Sequence, residues 1–188
     1  EVLGTENPAV DVEVIELLVG FLKSCGLSNF ETQLNTVGCK EDRARYSAAL
    51  QEILRPKKSS MCEDCQDRIE RNPLRVLDCK VEQDQPIINA LPPIDDYLCE
   101  GCRQHFEAVQ KYLKLASIET VRNKRLVRGL DYYTKTTFEI VAGGLGASGA
   151  IAAWIASSRM IFATTLFFCL CASSPSFSNC LKSFSTAW

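Results

Sequence analysis

The chain has 188 residues, 46% of them hydrophobic, and a formal net charge of −2. This length suits one domain with an inserted subdomain, and the charge excludes a whole-chain attraction to nucleic acid or anionic lipid. Ten cysteines would suggest disulfides in a secreted chain, but the opening "EVLGTENPAV" has neither the basic start nor the apolar run of a signal peptide. We therefore expect free thiols or a bound metal in a reducing compartment.

The first third of the chain predicts two helices on either side of a strand. "NPAVDVEVIELLVGFLKSCGL" has helical periodicity, with a start that Asn7 or Asp11 caps and an end at Gly26. The predicted apolar face of this helix consists of Val14, Ile15, Leu18, Phe21 and Leu22. "FETQLNTVG" alternates as a half-buried strand does and ends at Gly38. "KEDRARYSAALQEIL" predicts a second helix, which Pro56 closes.

The middle of the chain predicts short helices and then two strands. "MCEDCQDRIERN" indicates a short helix, "PLRVLDCKV" a strand or a turn, and "QPIINALPPIDDYL" a short helix with a loop. "CEGCRQHFEAVQKYLKLA" predicts a longer helix, with one face formed by Phe106, Val109, Tyr112 and Leu113. "IETVRNKRLVRG" and "KTTFEIVAGGLG" predict two antiparallel strands joined through residues 129–133.

The last 42 residues differ in composition from the rest. Residues 147–188 contain only two charged side chains, Arg159 and Lys182, against 42 in residues 1–146. About twenty mostly apolar residues from position 150 approach the length that spans a membrane, but Arg159 near their centre would cost about 2.5–3.5 kcal/mol on insertion. We therefore favour an unrelated or aberrant tail over a membrane helix.

A dense group of polar side chains precedes the last predicted strand. Arg128, Asp131, Tyr132 and Tyr133 lie within six positions. A guanidinium at the end of a strand can hold a carboxylate and a phosphate oxygen, and phenol groups can hydrogen-bond a ring nitrogen. An ion pair between Arg128 and Asp131 beside two core tyrosines explains the same residues without a ligand.

"RNKRLVR", residues 122–128, places four positive charges in seven residues. Such a run is either a local RNA-binding patch or a solvated strand edge that Lys and Arg protect, and we favour the strand edge.

Two CxxC pairs form a second candidate site. Cys62 and Cys65 make the first pair, Cys99 and Cys102 the second, with 33 residues between them. Four thiolates arranged as a tetrahedron suit a structural zinc ion, and both pairs open predicted helices of the same region. Four free cysteines are the alternative. Cys79 and His105 are possible substitute ligands, although we favour a surface or core position for His105. We interpret Cys25 and Cys39 as buried apolar filler.

The order of these segments resembles histidyl-tRNA synthetase, a class II aminoacyl-tRNA synthetase, of the bacterial or organellar type. "RLVRGLDYYTKTTFEIV" is similar to its histidine-specific motif. "EVLGTENPAVDVEVIELLVGFLKSCGL" is similar to the segment that leaves its second class-defining motif. "LNTVGCKEDRARYSAAL", "CQDRIERNPLRVLDCKVEQD" and "DYLCEGCRQHFEAVQKYL" resemble the segments between these two. The resemblance is collinear over residues 1 to about 146.

The resemblance implies a ligase that activates histidine with ATP and Mg²⁺ and transfers it to tRNA as a homodimer, in the cytoplasm or alternatively in a mitochondrion or plastid. Arg128 then matches the catalytic arginine, which contacts the histidine carboxylate and the α-phosphate. Tyr132 and Tyr133 match tyrosines of the histidine pocket, and Glu1 matches a glutamate that receives the polar groups of the substrate.

The resemblance also implies an α+β fold, a partial class II synthetase antiparallel sheet with packed helices, a helical insertion and a divergent apolar tail. The predicted domains are residues 1–56 and 117–146 for the catalytic domain, 57–116 for the helical insertion and 147–188 for the tail. The dimer-forming first motif, most of the second motif, the third motif and an anticodon-binding domain are not recognisable, so we expect a truncated chain that is inactive alone. The alternative is a non-catalytic, zinc-stabilised module that binds RNA or an intact synthetase.

Overall fold

The computed structural model describes residues 5–127 and 134–142 and, for the backbone alone, residues 150–155. The helices in these ranges are α1 (Pro8–Ser24), α2 (Lys40–Leu54), α3 (Glu63–Arg71), α4 (Gln85–Asn89) and α5 (Glu100–Leu115). The strands are β1 (Glu31–Gly38), β2 (Val121–Arg122), β3 (Lys135–Val141) and β4 (Ala150–Ile155). Short 3₁₀ turns occupy Arg55–Ser60, Pro73–Asp78, Glu82–Asp84 and Ile94–Tyr97. Helices packed on a mainly antiparallel sheet confirm the α+β prediction.

Helix α1 begins and ends where the sequence predicts. The Asn7 side chain accepts a hydrogen bond from the Ala9 backbone N–H at 3.0 Å, so Asn7 rather than Asp11 is the cap. At the other end Gly26 adopts a positive φ of 83°, and the Leu27 N–H donates to the Leu22 carbonyl at 3.0 Å. The helix therefore stops through the backbone conformation that glycine adopts without strain.

Strand β1 lies inside a four-stranded sheet of order β2-β1-β3-β4. It pairs in parallel with β2, through Gln33 opposite Val121, and antiparallel with β3, through Leu34 opposite Phe138. The two strands on either side of residues 129–133 run antiparallel, as predicted, but they do not pair with each other, because β2 and β3 lie on opposite sides of β1. Local patterns identified the strands but could not reveal a neighbour that comes about ninety residues earlier.

Strand β4 extends the sheet beyond the predicted catalytic boundary at residue 146. Its backbone pairs antiparallel with β3, with Trp154 opposite Phe138. A membrane helix beginning at residue 150 is therefore contradicted over these six residues. Across the described ranges, none of the helices is both long and apolar enough to cross a bilayer. The remainder of the predicted tail, residues 147–149 and 156–188, lies outside the described part.

Helices α1 and α5 cover one face of the sheet. Their apolar side chains pack with Leu34, Phe138 and Ile140, all at most 1% exposed. The α1 residues in this core are Val12, Ile15, Val19 and Leu22. The predicted apolar face is thus rotated, since Phe21 is 48% exposed. A buried hydrogen bond of 2.8 Å between His105 Nε2 and Asp11 Oδ2 joins the two helices, so His105 is a core residue and belongs to neither cysteine group.

A second hydrophobic cluster fills the region after α2. Its members come from α2, α3, the 3₁₀ turns and the start of α5, and include Leu50, Ile69, Val76 and Ile88. Helix α2, which we assigned to the catalytic part, contributes its buried face to this cluster, whereas most of α5 packs on the sheet. The domain division at residues 57 and 116 remains a prediction.

Gly38 ends β1 at a position where a side chain has no room. Its φ is 64°, and a Cβ added there would lie 2.7 Å from the Asp42 Cβ and 2.8 Å from Asp42 Oδ2. Only glycine meets both conditions without moving the start of α2.

We predict that Gly38→Ala lowers the free energy of unfolding by about 2 kcal/mol, because it adds left-handed strain and a contact with Asp42. Gly20→Ala is the matched control: the glycine lies exposed within α1 with no heavy atom within 4 Å of the new Cβ. That change should raise stability by about 0.5–1 kcal/mol. Urea denaturation followed by circular dichroism measures both, and equal stability of Gly38→Ala and the unmodified chain would contradict the structure at this turn.

Candidate functional site

The residues predicted to bind histidine lie outside the described part of the chain. Glu1 precedes the described N-terminal region, and Arg128, Tyr132 and Tyr133 fall in residues 128–133. Asp131, the ion-pair alternative for Arg128, falls in the same segment. Their roles stay predictions, but the structure fixes what surrounds them.

Both ends of segment 128–133 are held by neighbouring residues of β1. The Asn35 side-chain amide donates to the Leu126 carbonyl at 2.7 Å, a buried bond. The Thr36 hydroxyl donates to the Lys135 carbonyl at 3.0 Å. Val127, the last residue before the segment, is 5% exposed. The end of β1 therefore positions Leu126 and Lys135, which lie on either side of the segment.

The face of the sheet that points away from α1 and α5 is polar. Asn35 and Thr137 are paired across β1 and β3 there and are fully buried. Within the described ranges, Asn35 Oδ1 and Thr137 Oγ1 have no hydrogen-bond partner. Buried polar atoms without partners are uncommon in folded proteins, and they mark places where a ligand or an ordered water completes the bonding. This polar face lies beside the two ends of segment 128–133.

Arg125 connects the residues just before segment 128–133 to the region after α2. Its guanidinium donates to the carbonyls of Leu77 and Cys79, at 3.3 Å each from Nη2, and to the side chains of Gln85 and Asn89, at 2.8 and 3.1 Å. A planar fork with several donors is suited to such a set of acceptors. The insertion thus helps to place the residues immediately before Arg128.

The basic run 122–128 is largely used inside the fold. Arg122 donates to both carboxylate oxygens of Asp95, at 2.8 and 3.0 Å, and lies 4.2 Å from the centre of the Phe106 ring. Because Arg125 is also bonded internally, two of the four charges are not free for RNA. The interpretation that we favoured, a solvated strand edge, is also wrong for Arg122 and Arg125. It agrees with the structure at Lys124, which is exposed.

The two CxxC pairs belong to two different clusters. Cys62 and Cys65 lie with Cys79 and Asp84, with one sulfur or oxygen atom of each residue within 4.8 Å of those of the others. We call this group the Cys62 cluster. Within it, the sulfurs of Cys62 and Cys79 are 3.9 Å apart, and Cys79 Sγ is 3.3 Å from Asp84 Oδ2. Cys65, Cys79 and Asp84 are buried.

The second group, the Cys39 cluster, contains Cys39, Asp42, Cys99 and Cys102, again with ligand atoms within 4.8 Å of one another. The carboxylate of Asp42 accepts the N–H groups of Cys39 at 3.2 Å and Cys99 at 2.9 Å. Arg45 binds the same carboxylate at 2.6 Å from its exposed side. Asp42 itself is fully buried.

The four sulfurs of the two CxxC pairs therefore do not form one tetrahedral group. Sequence reasoning named Cys79 as a substitute ligand, treated Cys39 as filler and missed Asp42 and Asp84. One signal was present: Cys39-x-x-Asp42 has the spacing of a CxxC pair at the start of a predicted helix. Asp84 follows Cys79 by five residues in irregular structure, where no spacing rule identifies it.

Burial and a neighbouring carboxylate favour the protonated thiol at Cys65 and at Cys102. Burial raises the pKa of Cys65, and the nearby Asp84 raises it further; burial and then Asp42 act in the same way on the pKa of Cys102. Burial alone would raise the pKa of Asp84 as well, but hydrogen bonds from Cys62, Cys65 and Cys79 outweigh it, so that this pKa is lowered. Each cluster thus combines a buried carboxylate with one buried thiol whose pKa is raised, Cys65 in one cluster and Cys102 in the other.

Known proteins similar to this chain are bacterial enzymes. It is 57% identical over 151 residues to the histidine--tRNA ligase of Solibacter usitatus (strain Ellin6076) and 51% identical over 148 residues to that of Koribacter versatilis (strain Ellin345). The matches cover 80% and 79% of this chain. No protein-family model matches it.

The matched part of this chain belongs to the histidine--tRNA ligase family. A crystal structure of apo S. aureus histidyl-tRNA synthetase agrees, with a TM-score of 0.60 and 34% identity over 80% of this chain. The chain spans 36% of the Solibacter ligase, 34% of the Koribacter ligase and 36% of the S. aureus chain. The predicted relation to this class II synthetase family is confirmed.

We predict that Arg125→Ala lowers the free energy of unfolding by about 2–3 kcal/mol, because the carbonyls of Leu77 and Cys79 lose a charged donor. Arg125→Lys should not restore it, since one ammonium cannot reach the same acceptors. Lys124→Ala, at the exposed neighbouring position, should change stability by less than about 0.5 kcal/mol. Chemical denaturation of the three variants tests this, and a fully stable Arg125→Ala chain would show that the insertion is not anchored through Arg125.

Proposed function

We propose that the chain supplies the histidine-binding part of a histidine--tRNA ligase catalytic domain. The observation that carries the proposal is the 57% identity to the Solibacter histidine--tRNA ligase over 80% of the chain. The reaction proposed for the complete enzyme joins histidine to ATP, releases pyrophosphate and then transfers histidine to the 3′ end of its tRNA. Histidine, ATP and tRNA are accordingly the proposed partners, with a homodimer as the proposed assembly.

Arg128 is the proposed catalytic residue. In the first step a carboxylate oxygen of histidine attacks the α-phosphorus, and the bond from phosphorus to the departing pyrophosphate breaks. A guanidinium that touches both the carboxylate and the α-phosphate aligns the two anions and stabilises the charge that develops between them. Mg²⁺ would neutralise charge on the phosphates and the leaving pyrophosphate.

Tyr132, Tyr133 and Glu1 are the proposed recognition residues for histidine. Phenol hydroxyls can donate to or accept from an imidazole nitrogen, and a carboxylate suits an ammonium or imidazole N–H. Glu6 supports a place for Glu1 nearby, because its carboxylate binds the Lys135 ammonium at 3.0 Å, just after segment 128–133. The five residues from Glu6 back to Glu1 can span up to about 17 Å.

The setting of segment 128–133 supports the same proposal. The flanking residues Leu126 and Lys135 are bonded to Asn35 and Thr36 of β1, and in the described ranges Asn35 Oδ1 and Thr137 Oγ1 are buried without a partner. A substrate that carries several donors, such as histidine with its ammonium and imidazole, suits this face. By family, we propose the cytoplasm as the compartment, with a mitochondrion or plastid as the alternative.

The alternative function is a zinc-stabilised module that binds RNA or a synthetase. The cysteine clusters support its zinc, whereas the basic run gives less support to its RNA binding than the sequence suggested. The cysteine clusters favour a metal-stabilised insertion, and zinc suits their thiol-rich donor sets. The basic run that was to contact RNA has two of its arginines bound to acceptors inside the protein. The ligase therefore remains the better-supported function, and a structural metal ion is compatible with either function.

A chimaera tests the catalytic proposal, because the chain spans about a third of its relatives. The matching segment of the Solibacter enzyme is replaced by residues 1–146 of this chain, and histidine-dependent ATP–pyrophosphate exchange is measured. We expect exchange in the chimaera and a loss of about 10²–10³-fold in kcat on Arg128→Ala. Lys111→Ala, on the exposed side of α5, is the control and should leave the rate unchanged. An Arg128→Ala chimaera as active as its parent would refute the assignment of Arg128.

A further inference from the structure

The Cys62 cluster already has the spacing of a tetrahedral metal site. Sulfur ligands about 2.3 Å from a zinc ion lie about 3.8 Å from one another, and a carboxylate oxygen lies about 3.6 Å from each sulfur. The observed separations are 3.9 Å between the sulfurs of Cys62 and Cys79 and 3.3 Å between Cys79 Sγ and Asp84 Oδ2. These two separations are within a few tenths of an ångström of the tetrahedral values, and the remaining ligand atoms lie within 4.8 Å of one another.

The two clusters are built in the same way from unrelated stretches of sequence. Cys62 caps α3 and Cys99 caps α5, with nearly equal backbone angles of φ −61°, ψ 156° and φ −68°, ψ 161°. Cys65 and Cys102 then lie three residues on, in the first turn of each helix. Helix N-termini favour negative charge, which here would be thiolate.

The second half of each cluster is a cysteine with an aspartate. In both cases the aspartate accepts the backbone N–H of the capping cysteine: Asp84 Oδ1 from Cys62 at 3.0 Å, and Asp42 Oδ1 from Cys99 at 2.9 Å. The aspartates are fully buried, and a buried carboxylate is retained where a cation or strong donors compensate it. Two independent occurrences of one arrangement are hard to attribute to chance packing of thiols.

The third sulfur of each cluster, from Cys79 or Cys39, also has a backbone N–H group within hydrogen-bonding distance. Val81 N lies 3.4 Å from Cys79 Sγ, and Asp42 N lies 3.4 Å from Cys39 Sγ. Such bonds orient ligating sulfurs and offset part of their charge in metal sites.

We propose that this chain binds two structural metal ions, zinc by preference, one held by Cys62, Cys65, Cys79 and Asp84 and the other by Cys39, Asp42, Cys99 and Cys102. Three thiolates and one carboxylate suit zinc, which accepts sulfur and oxygen donors in a closed tetrahedron. Binding releases the thiol protons to solvent. This inference goes beyond the proposed ligase function and does not depend on it.

Each ion would close a different loop of the chain. The ion in the Cys39 cluster would join the starts of α2 and α5, which are separated by about sixty residues that include most of the second hydrophobic cluster. The ion in the Cys62 cluster would join α3 to the Cys79–Asp84 turn, and the Cys79 carbonyl receives Arg125, three residues before Arg128. One ion would thus set the base of the insertion and the other its contact with the histidine motif.

Metal counting on the full 188-residue chain tests the proposal. The chain is purified with a reductant and zinc and without chelator, and native mass spectrometry gives the ions bound. We expect Cys65→Ser and Cys102→Ser each to lose one ion, the double variant to lose two, and Cys25→Ser, whose exposed thiol lies in neither cluster, to lose none. If the unmodified chain binds one ion and each single variant binds none, the four cysteines of the two CxxC pairs share one site, and the proposal is overturned.

A second measurement needs no variant and so does not depend on variant folding. The unmodified chain is alkylated with and without a chelator, and the modified cysteines are mapped by peptide mass. We expect all six cluster cysteines to become reactive only when the metal is removed, and Cys25 to react in both samples. Reactivity that does not change with the chelator, or disulfide-linked peptides from either cluster after reducing purification, would overturn the proposal.

Discussion

The end of strand β1 is the constraint on which the rest of the structure depends. Leu34 packs with the helices on one face of the sheet, while Asn35 and Thr36 bind the backbone on either side of segment 128–133. Gly38 then turns the chain so tightly that a Cβ would meet Asp42, and Asp42 in turn binds Cys99 at the start of α5. Nine consecutive residues, 34–42, therefore join the core, the residues on either side of segment 128–133 and the Cys39 cluster.

These contacts join residues that are far apart in sequence. Most of them are hydrogen bonds between polar groups that lose their contact with water when they are buried. Asn35 and Leu126 are 91 positions apart, and Thr36 and Lys135 are 99 apart. A buried hydrogen bond contributes only about 1 kcal/mol net, but leaving one of its groups unpaired costs about 1–3 kcal/mol. Such bonds consequently determine position more than stability, and stability comes from the two apolar clusters around them. In the proposed histidine site, such directional contacts on the sheet would position the walls around a small, polar ligand.

Local sequence patterns predicted the elements well where periodicity and caps decide the structure. Helices α1, α2 and α5 and strand β1 follow from apolar spacing, Asn7, Gly26 and Pro56, and the family resemblance followed from the order of motifs. The errors are non-local. The residues of β2 carry no information about which strand lies beside it. Phe21 was predicted to be buried because its position fits either of two adjacent faces of α1. The two cysteine pairs were assigned to one ion because both have the same CxxC spacing. In the structure, each CxxC pair lies with a cysteine and an aspartate from elsewhere in the chain. Arg122 and Arg125, which the charge run predicted to be solvent-exposed, donate hydrogen bonds inside the protein.

Amide hydrogen exchange in Asn35→Ala tests the central role of β1 most directly. If the Asn35 side chain holds the approach to the histidine motif, the amides of residues 124–127 should exchange about tenfold faster than in the unmodified chain, which corresponds to the loss of one buried hydrogen bond. The amides of α5 should keep their protection, since its core contacts do not involve Asn35. Unchanged exchange at residues 124–127, or an equal loss of protection in α5, would contradict the claim that the end of β1 positions this motif.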